Sequence, residues 1–322
     1  MGEPTYDLDL EHAIVGEVDR SIPFIETHHH LWELGRFHYE WLTDVVRQDG
    51  SIGPTMDNTP VLGDYRMIRQ DWPMDRLLKE FYGSNVVKSV HIEAAYSGPD
   101  PVEETAWLDS VAEAYGFPHA LVVFLDVERP GADAVLDRHM EASARVRGIR
   151  PRAHPTDWRT ASFRESMTTL AKNGLSYELN ASPGALLSGR DAAKQFPDTQ
   201  VILGHAGFPL KRTREYFEQW CVEMSTLAEQ PNVACKVSGL GMVDHAWSID
   251  TITPWVLHCI DAFGPDRIMF GTNWPVDVVF SSYLRQADAY RWIIARAGFS
   301  RAEQEAMLFR NAEHFYGLGE GF

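Results

Sequence analysis

The chain has 322 residues, 44% of them apolar, with 29 Lys and Arg set against 46 Asp and Glu for a formal net charge of −17. That charge excludes long-range attraction to nucleic acid or anionic membranes, and no apolar run nears the roughly 20 residues of a membrane span. Cys221, Cys235 and Cys259 form neither a CxxC pair nor an even set, so a reduced, cytoplasmic setting is expected rather than a disulfide framework.

Residues 1–20 are acidic and lack the basic and apolar regions of a signal peptide, and are expected to form an N-terminal arm ahead of one domain over 21–322. That domain opens on PFIETHHHL (23–31). In a strand, side chains at i and i+2 leave the same face, so His28 and His30 aim two imidazoles at one point. A long connection from Trp32 to about Pro73, rich in aromatics including Trp41 and Trp72, is too large for an ordinary strand–helix loop and should fold over as a lid. Further strands are expected in VVKSVHIEAA (86–95), HALVVFLDV (119–127), RVRGIRPRA (145–153), LSYELN (175–180), TQVILGHAG (199–207), NVACKVSG (232–239) and DRIMFGTNW (266–274). Between them lie amphipathic segments. Leu108, Val111, Ala112 and Tyr115 share one helix face, as do Phe163, Met167 and Leu170. Gly174 and Gly264 mark helix stops. Ser300 and Glu303 form a capping box opening a last helix that runs through Met307, Leu308 and Phe315.

Eight strand–helix repeats with no GxGxxG turn predict a single-domain (β/α)8 TIM barrel, with its long loop after the first strand. In such barrels the chemistry sits at the C-terminal strand ends. Those ends carry His28 and His30; His91 and Glu93; Asp126; Arg150, Arg152 and His154; Glu178 and Asn180; His205; Lys236 and Ser238; and Asn273 with Asp277 close behind. Burying one such group alone costs several kcal/mol, so this many convergent polar groups imply a polar cavity. Ser238 lacks the GxSxG surround of a nucleophile elbow.

The segments IETHHHLW, VVKSVHIEA, VRGIRPR, GLSYELN, FPDTQVILGHAG, NVACKVSGLGMVDH and FGTNWPVD, in this order from about Phe24 to Leu318, resemble the amidohydrolase-related (amidohydrolase 2) family and its lactonase-like branch of metal-dependent TIM-barrel hydrolases. The resemblance implies a small-molecule substrate, a lactone, and a mononuclear metal site or a metal-free relative of one. His28, His30 and His205 match the family's histidines, Lys236 its seventh-strand lysine, and Arg150 and Arg152 the segment that holds a carboxylate or lactone carbonyl. The chain departs from the family at Asn273, where many relatives carry a water-activating aspartate; an amide cannot accept a proton at neutral pH.

Two mechanisms are expected. Zn²⁺ held by His28, His30 and His205 would lower the pKa of bound water. Without metal, the histidines and Lys236 would polarise the carbonyl while Asp277 or Glu178 draws the proton, with Asn273 donating a hydrogen bond. Arg150 and Arg152 suit a substrate carboxylate; His91, Glu93, His154, Trp32, Trp41 and Trp274 complete the expected substrate contacts. A decarboxylase or hydratase of the same superfamily, or a catalytically silent acid-binding barrel, are the alternatives. Barrels of this kind often pair, so a homodimer is expected.

Overall fold

The structure is a computed structural model that describes residues 18–46, 50–152, 154–155 and 157–319; the expected arm lies outside the described residues as far as residue 17. Eight parallel strands follow one another in chain order around one sheet: β1 (Phe24–His29), β2 (Val86–Ile92), β3 (Ala120–Phe124), β4 (Val146–Arg150), β5 (Ser176–Leu179), β6 (Val201–Leu203), β7 (Val233–Val237) and β8 (Ile268–Phe270). Their bodies are buried on both faces, as expected of parallel strands covered by helices. The expected (β/α)8 barrel is therefore the fold.

A helix follows each strand: α1 (Met74–Glu80), α2 (Val102–Tyr115), α3 (Ala132–Ala142), α4 (Ala161–Asn173), α5 (Leu186–Gln195), α6 (Arg214–Ala228), α7 (Ile249–Phe263) and α8 (Tyr283–Arg296). Side-chain oxygens start several of them. Thr160, Thr213, Ser248 and Ser282 each accept a backbone N–H of the first turn, satisfying a donor the helix leaves open. The expected Ser300–Glu303 box opens the helix Arg301–Glu305. That helix does not run on unbroken: a π-turn at Ala306–Arg310 separates it from Asn311–Tyr316.

This last segment packs on the N-terminal end of the barrel. Asn311 Nδ2 donates to the Pro265 and Ile268 carbonyls, and Lys88 on β2 bonds Glu313 and the Leu318 carbonyl.

β1 and β8 meet with little ladder. His30 N–H donates to the Trp274 carbonyl at 2.7 Å, and Thr27 Oγ1 to the Phe270 carbonyl at 2.6 Å. The buried Glu26 carboxylate spans the rest, accepting from the Thr272 N–H and hydroxyl, the Tyr283 hydroxyl and the His28 N–H. Gly271 permits the approach, since a Cβ there would stand 2.7 Å from His28 Cβ.

The long loop after β1 closes at its base through Trp32 and Trp72, which exchange backbone hydrogen bonds. It carries a small antiparallel pair (Val45–Val46 with Ile52–Gly53) and a helical turn at Thr59–Leu62. His245, stacked on Phe280, donates from Nε2 toward the Val61 carbonyl at 2.8 Å and pins that turn against the far side of the mouth.

Candidate active site

Alternation along β1 sorts the histidines. His28 and His30 face the barrel axis, their rings 5.1 Å apart, and His28 lies 4.2 Å from the ring of His205 at the end of β6. His29 faces outward to Ser89 Oγ and Phe81.

A cavity of about 270 Å³ opens above them, with His30, Arg150, His205, Asn273 and Asn58 as its polar lining. Trp41, Leu62, Phe208, Met242 and Val276 supply apolar walls. Its volume suits a small ring compound. His28 sits directly beneath, fully buried.

Backbone strain is concentrated here. Among the described residues six non-glycine positions have positive φ, and Ala95, His205, Phe208 and Asn273 of these line the cavity. From His205 to Phe208 the chain turns left-handed for four consecutive residues. Such a conformation costs roughly 1–2 kcal/mol per non-glycine residue and persists where a site demands it. His205 is wedged further: its Nδ1 lies 2.9 Å from Ser238 Oγ, and a Cβ on Gly239 would come within 2.6 Å of that nitrogen. Ser238 therefore orients an imidazole instead of acting as a nucleophile.

Arg150 is held in place by Glu93. Its Nε donates to Glu93 Oε1 at 2.9 Å and its Nη2 to the Glu93 carbonyl at 2.7 Å, while Nη1 donates to His28 Nε2 at 3.4 Å. His30 Nδ1 donates to the Ile92 carbonyl at 2.8 Å, which leaves Nε2 facing Asn273 Oδ1 at 3.3 Å. Burial pulls His30 down to about 3, aided by the Arg150 charge; burial, then Arg150 and Lys236, pulls His205 well down too. The cavity histidines are neutral imidazoles at pH 7.

Several expected participants stand elsewhere. His91 points outward beside His29 and accepts the Leu31 N–H, because its parity on β2 is that of Ser89. Lys236 and Glu178 pair below the cavity, closed by the Tyr316 hydroxyl. Asp277 lies behind Asn273, accepting from its Nδ2 at 2.7 Å and from Gln286 Nε2 at 3.0 Å; it does not line the cavity. Trp32 and Trp274 are core side chains. His154 bonds Tyr177 and Ser188 behind β5. Arg152, past the end of β4, stacks on Phe124 in a neighbouring groove of about 700 Å³. Trp41 lines the cavity as expected, whereas Met56, Asn58, Val61, Leu62, Phe208 and Met242 come from loops whose sequence carries no periodic signal.

The three histidine rings expected to hold zinc converge, but their contacts in this structure fit a metal poorly. His30 and His205 keep Nε2 toward the cavity, but a guanidinium meets His28 Nε2 on the side a cation would approach. No carboxylate lines the cavity among the described residues. Nor is any set of three or more His, Cys, Asp or Glu side chains among them disposed to hold a metal.

An eight-stranded barrel with strained histidine and asparagine ends around a mouth cavity defines the class, and comparison with known proteins defines the family. The amidohydrolase family model matches residues 25–318, and the chain belongs to that family. An uncharacterised protein of Sinorhizobium fredii is 37% identical over 308 residues, 92% of this chain and 99% of that protein. An L-fucono-1,5-lactonase of Burkholderia multivorans is 26% identical over 314 residues, 92% of this chain and 96% of the lactonase. In fold, the chain is similar to a crystal structure of an amidohydrolase from Burkholderia multivorans with bound zinc, at TM-score 0.75 and 24% identity, covering 92% of this chain and 100% of the other. No helix among the described residues is long and apolar enough to cross a membrane.

Proposed function

We propose that the chain is an enzyme that hydrolyses a small ring lactone, acting from the neutral imidazoles around the mouth cavity. One observation carries this reading: His30 Nε2 and Asn273 Oδ1 stand 3.3 Å apart on the cavity wall, beside the guanidinium of Arg150. With His30 Nδ1–H committed to the Ile92 carbonyl, both facing atoms are acceptors. One water can donate a hydrogen to each and present its lone pair to a carbonyl carbon.

Attack moves one water proton to His30 Nε2 and places negative charge on the carbonyl oxygen. Arg150 stabilises that oxyanion, and its positive field is weakened as it does so, which raises the basicity of His30 when the proton arrives. Collapse breaks the ring C–O bond. The proton passes to the leaving alkoxide, with His205 hydrogen-bonded to it, and the product is a hydroxy acid. The apolar walls favour a ring with few polar substituents on the lid side. The scheme draws on these side chains alone, with Arg150 Nη1 set against His28 Nε2. The 26% identity to an L-fucono-1,5-lactonase supports the reaction class and leaves the choice of lactone open.

The absence of a carboxylate from the cavity lining favours one second reading, decarboxylation of a small acid. Proton release from a panel of lactones, set against carbon dioxide release from small unsaturated and aromatic acids, separates the two. Turnover of neither, with saturable binding by calorimetry, would identify a silent acid-binding barrel.

A further inference from the structure

Hydrogen-bond counting behind the cavity leads past this reading. The chain of contacts runs from the Ile92 carbonyl through His30, Asn273 and Asp277 to Gln286. The Ile92 end is fixed, because a carbonyl only accepts; with Gln286 Nε2 donating to Asp277 as in this structure, the freedom lies in Asn273 and Asp277.

If Asp277 is ionised, it accepts from Asn273 Nδ2, and Asn273 Oδ1 faces the bare Nε2 of His30. These two acceptors repel unless a donor sits between them, which is where the attacking water belongs. If Asp277 carries a proton, the amide can turn over. The carboxylic O–H then donates to Asn273 Oδ1, and Asn273 Nδ2–H donates to His30 Nε2. Each contact of the run then pairs a donor with an acceptor, Asp277 carries no charge, and the lone pair of His30 is blocked.

We propose that Asp277 is a positioning residue that sets the orientation of the Asn273 amide, and through it decides whether His30 offers a free lone pair to the cavity or a capped one. As long as Gln286 Nε2 donates to Asp277, the hydrogen-bond pattern offers these two states. Asp277 and Asn273 are both buried, so the amide can turn over only in its place between His30 and Asp277. Burial pushes the Asp277 carboxyl up to about 7, with Asn273 and Gln286 pulling the other way and the Glu26 charge from β1 adding to the rise. From α8, Tyr290 also faces it, un-ionised at any physiological pH. Arg66, on the short helical turn packed against Val276–Val279, is turned to solvent and bonded to Asp64. The switch therefore falls near neutrality.

Only the effect on turnover rests on His30 being the water-activating base; the switch itself can be read without substrate. Infrared spectroscopy of the whole protein between pH 5 and about 9 follows the carboxylic-acid band that Asp277→Asn removes. Nitrogen-15 resonances of labelled histidine follow His30 Nε2, assigned with Asn273→Ala, whose folding is checked by near-ultraviolet circular dichroism. The expected result is one midpoint near 7 for the Asp277 band and the His30 Nε2 shift. Asp277→Asn should freeze that shift in its low-pH form, since the new amide donates to Asn273 as the acid does. Asn273→Ala should uncouple the two signals. A His30 signal that ignores the loss of the Asp277 proton, or an Asp277 ionised throughout, overturns the proposal. Failure to hydrolyse any lactone overturns the preceding reading and leaves this one standing.

Discussion

Two ion pairs inside the barrel invite comparison, one at the floor and one at the mouth. At the floor, Lys236 Nζ bonds both Glu178 oxygens at 2.9 and 2.8 Å, the Thr27 carbonyl at 3.2 Å and the Tyr316 hydroxyl at 3.1 Å, with neither partner exposed. Every donor the ammonium owns is spent. At the mouth, Arg150 is anchored to Glu93 through Nε and Nη2, but Nη1 reaches only a histidine at 3.4 Å and borders open cavity. The charges are alike and both carboxylates are buried, but the Arg150 side chain is 14% exposed against 0% for Lys236, and the valence left over differs with it. A saturated pair can only hold the fold, whereas one with donors to spare can meet a substrate.

Lys236→Met tests the floor and should have the largest effect. It leaves Glu178 buried without its counter-charge, a change that costs roughly 3–5 kcal/mol. Urea unfolding should show that loss, and unchanged stability would move the floor pair out of the structural role.

At the mouth the contrast is expected in rate. Arg150→Lys keeps the charge but gives up the rigid fork, and on the proposed reaction kcat/KM should fall about 100-fold while stability shifts by only about 1 kcal/mol. Equal losses of rate and stability would erase the distinction between the pairs.

Asn273→Asp places an acid where the family resemblance leads one to expect it. The new carboxyl would face Asp277 across the 2.7 Å now spanned by an amide hydrogen bond. Two carboxyls so close share one proton, so the gain in hydrolysis should stay below about tenfold. A larger rise would show that this position lacks only a base.

The smallest effect concerns Glu104, buried beside Glu93 and the Tyr39 hydroxyl. Burial, then the Glu93 charge, pushes its carboxyl up to about 8 from 4.5. The folded state therefore holds this proton more tightly than the unfolded chain. Its contribution is full below the unfolded value and is lost as pH rises through about 8. Glu104→Gln should flatten the decline in thermal midpoint between pH 5 and 8 by a few degrees. An unaltered slope would place the titration elsewhere.

These residues also show what a sequence discloses. Each of the eight segments expected as strands, from 23–31 to 266–274, contains one of the observed strands. A run of apolar residues is a local signal. The inward pairing of His28 with His30 was legible for the same reason, since the two-residue period holds within a strand. His91 was misplaced because a period gives relative faces and leaves open which face is inner. Arg152 and Trp274 lie past strand ends, where the period lapses. The lid residues Met56 and Leu62 obey no period at all, and Asp277 became interpretable only once its amide partner was seen.

Fastening β1 to β8 by side chains gives the barrel a line of parting. Seven neighbouring pairs are joined by a backbone ladder, but this one relies on Glu26 and a few isolated bonds. Heat or denaturant should therefore open the cylinder along that seam before the rest yields. Glu26 grips the amides of both Thr272 and His28, so when the seam parts the histidine-bearing strand goes with it. The site would be dismantled while most of the helical shell still stands, and loss of catalytic competence would run ahead of loss of fold.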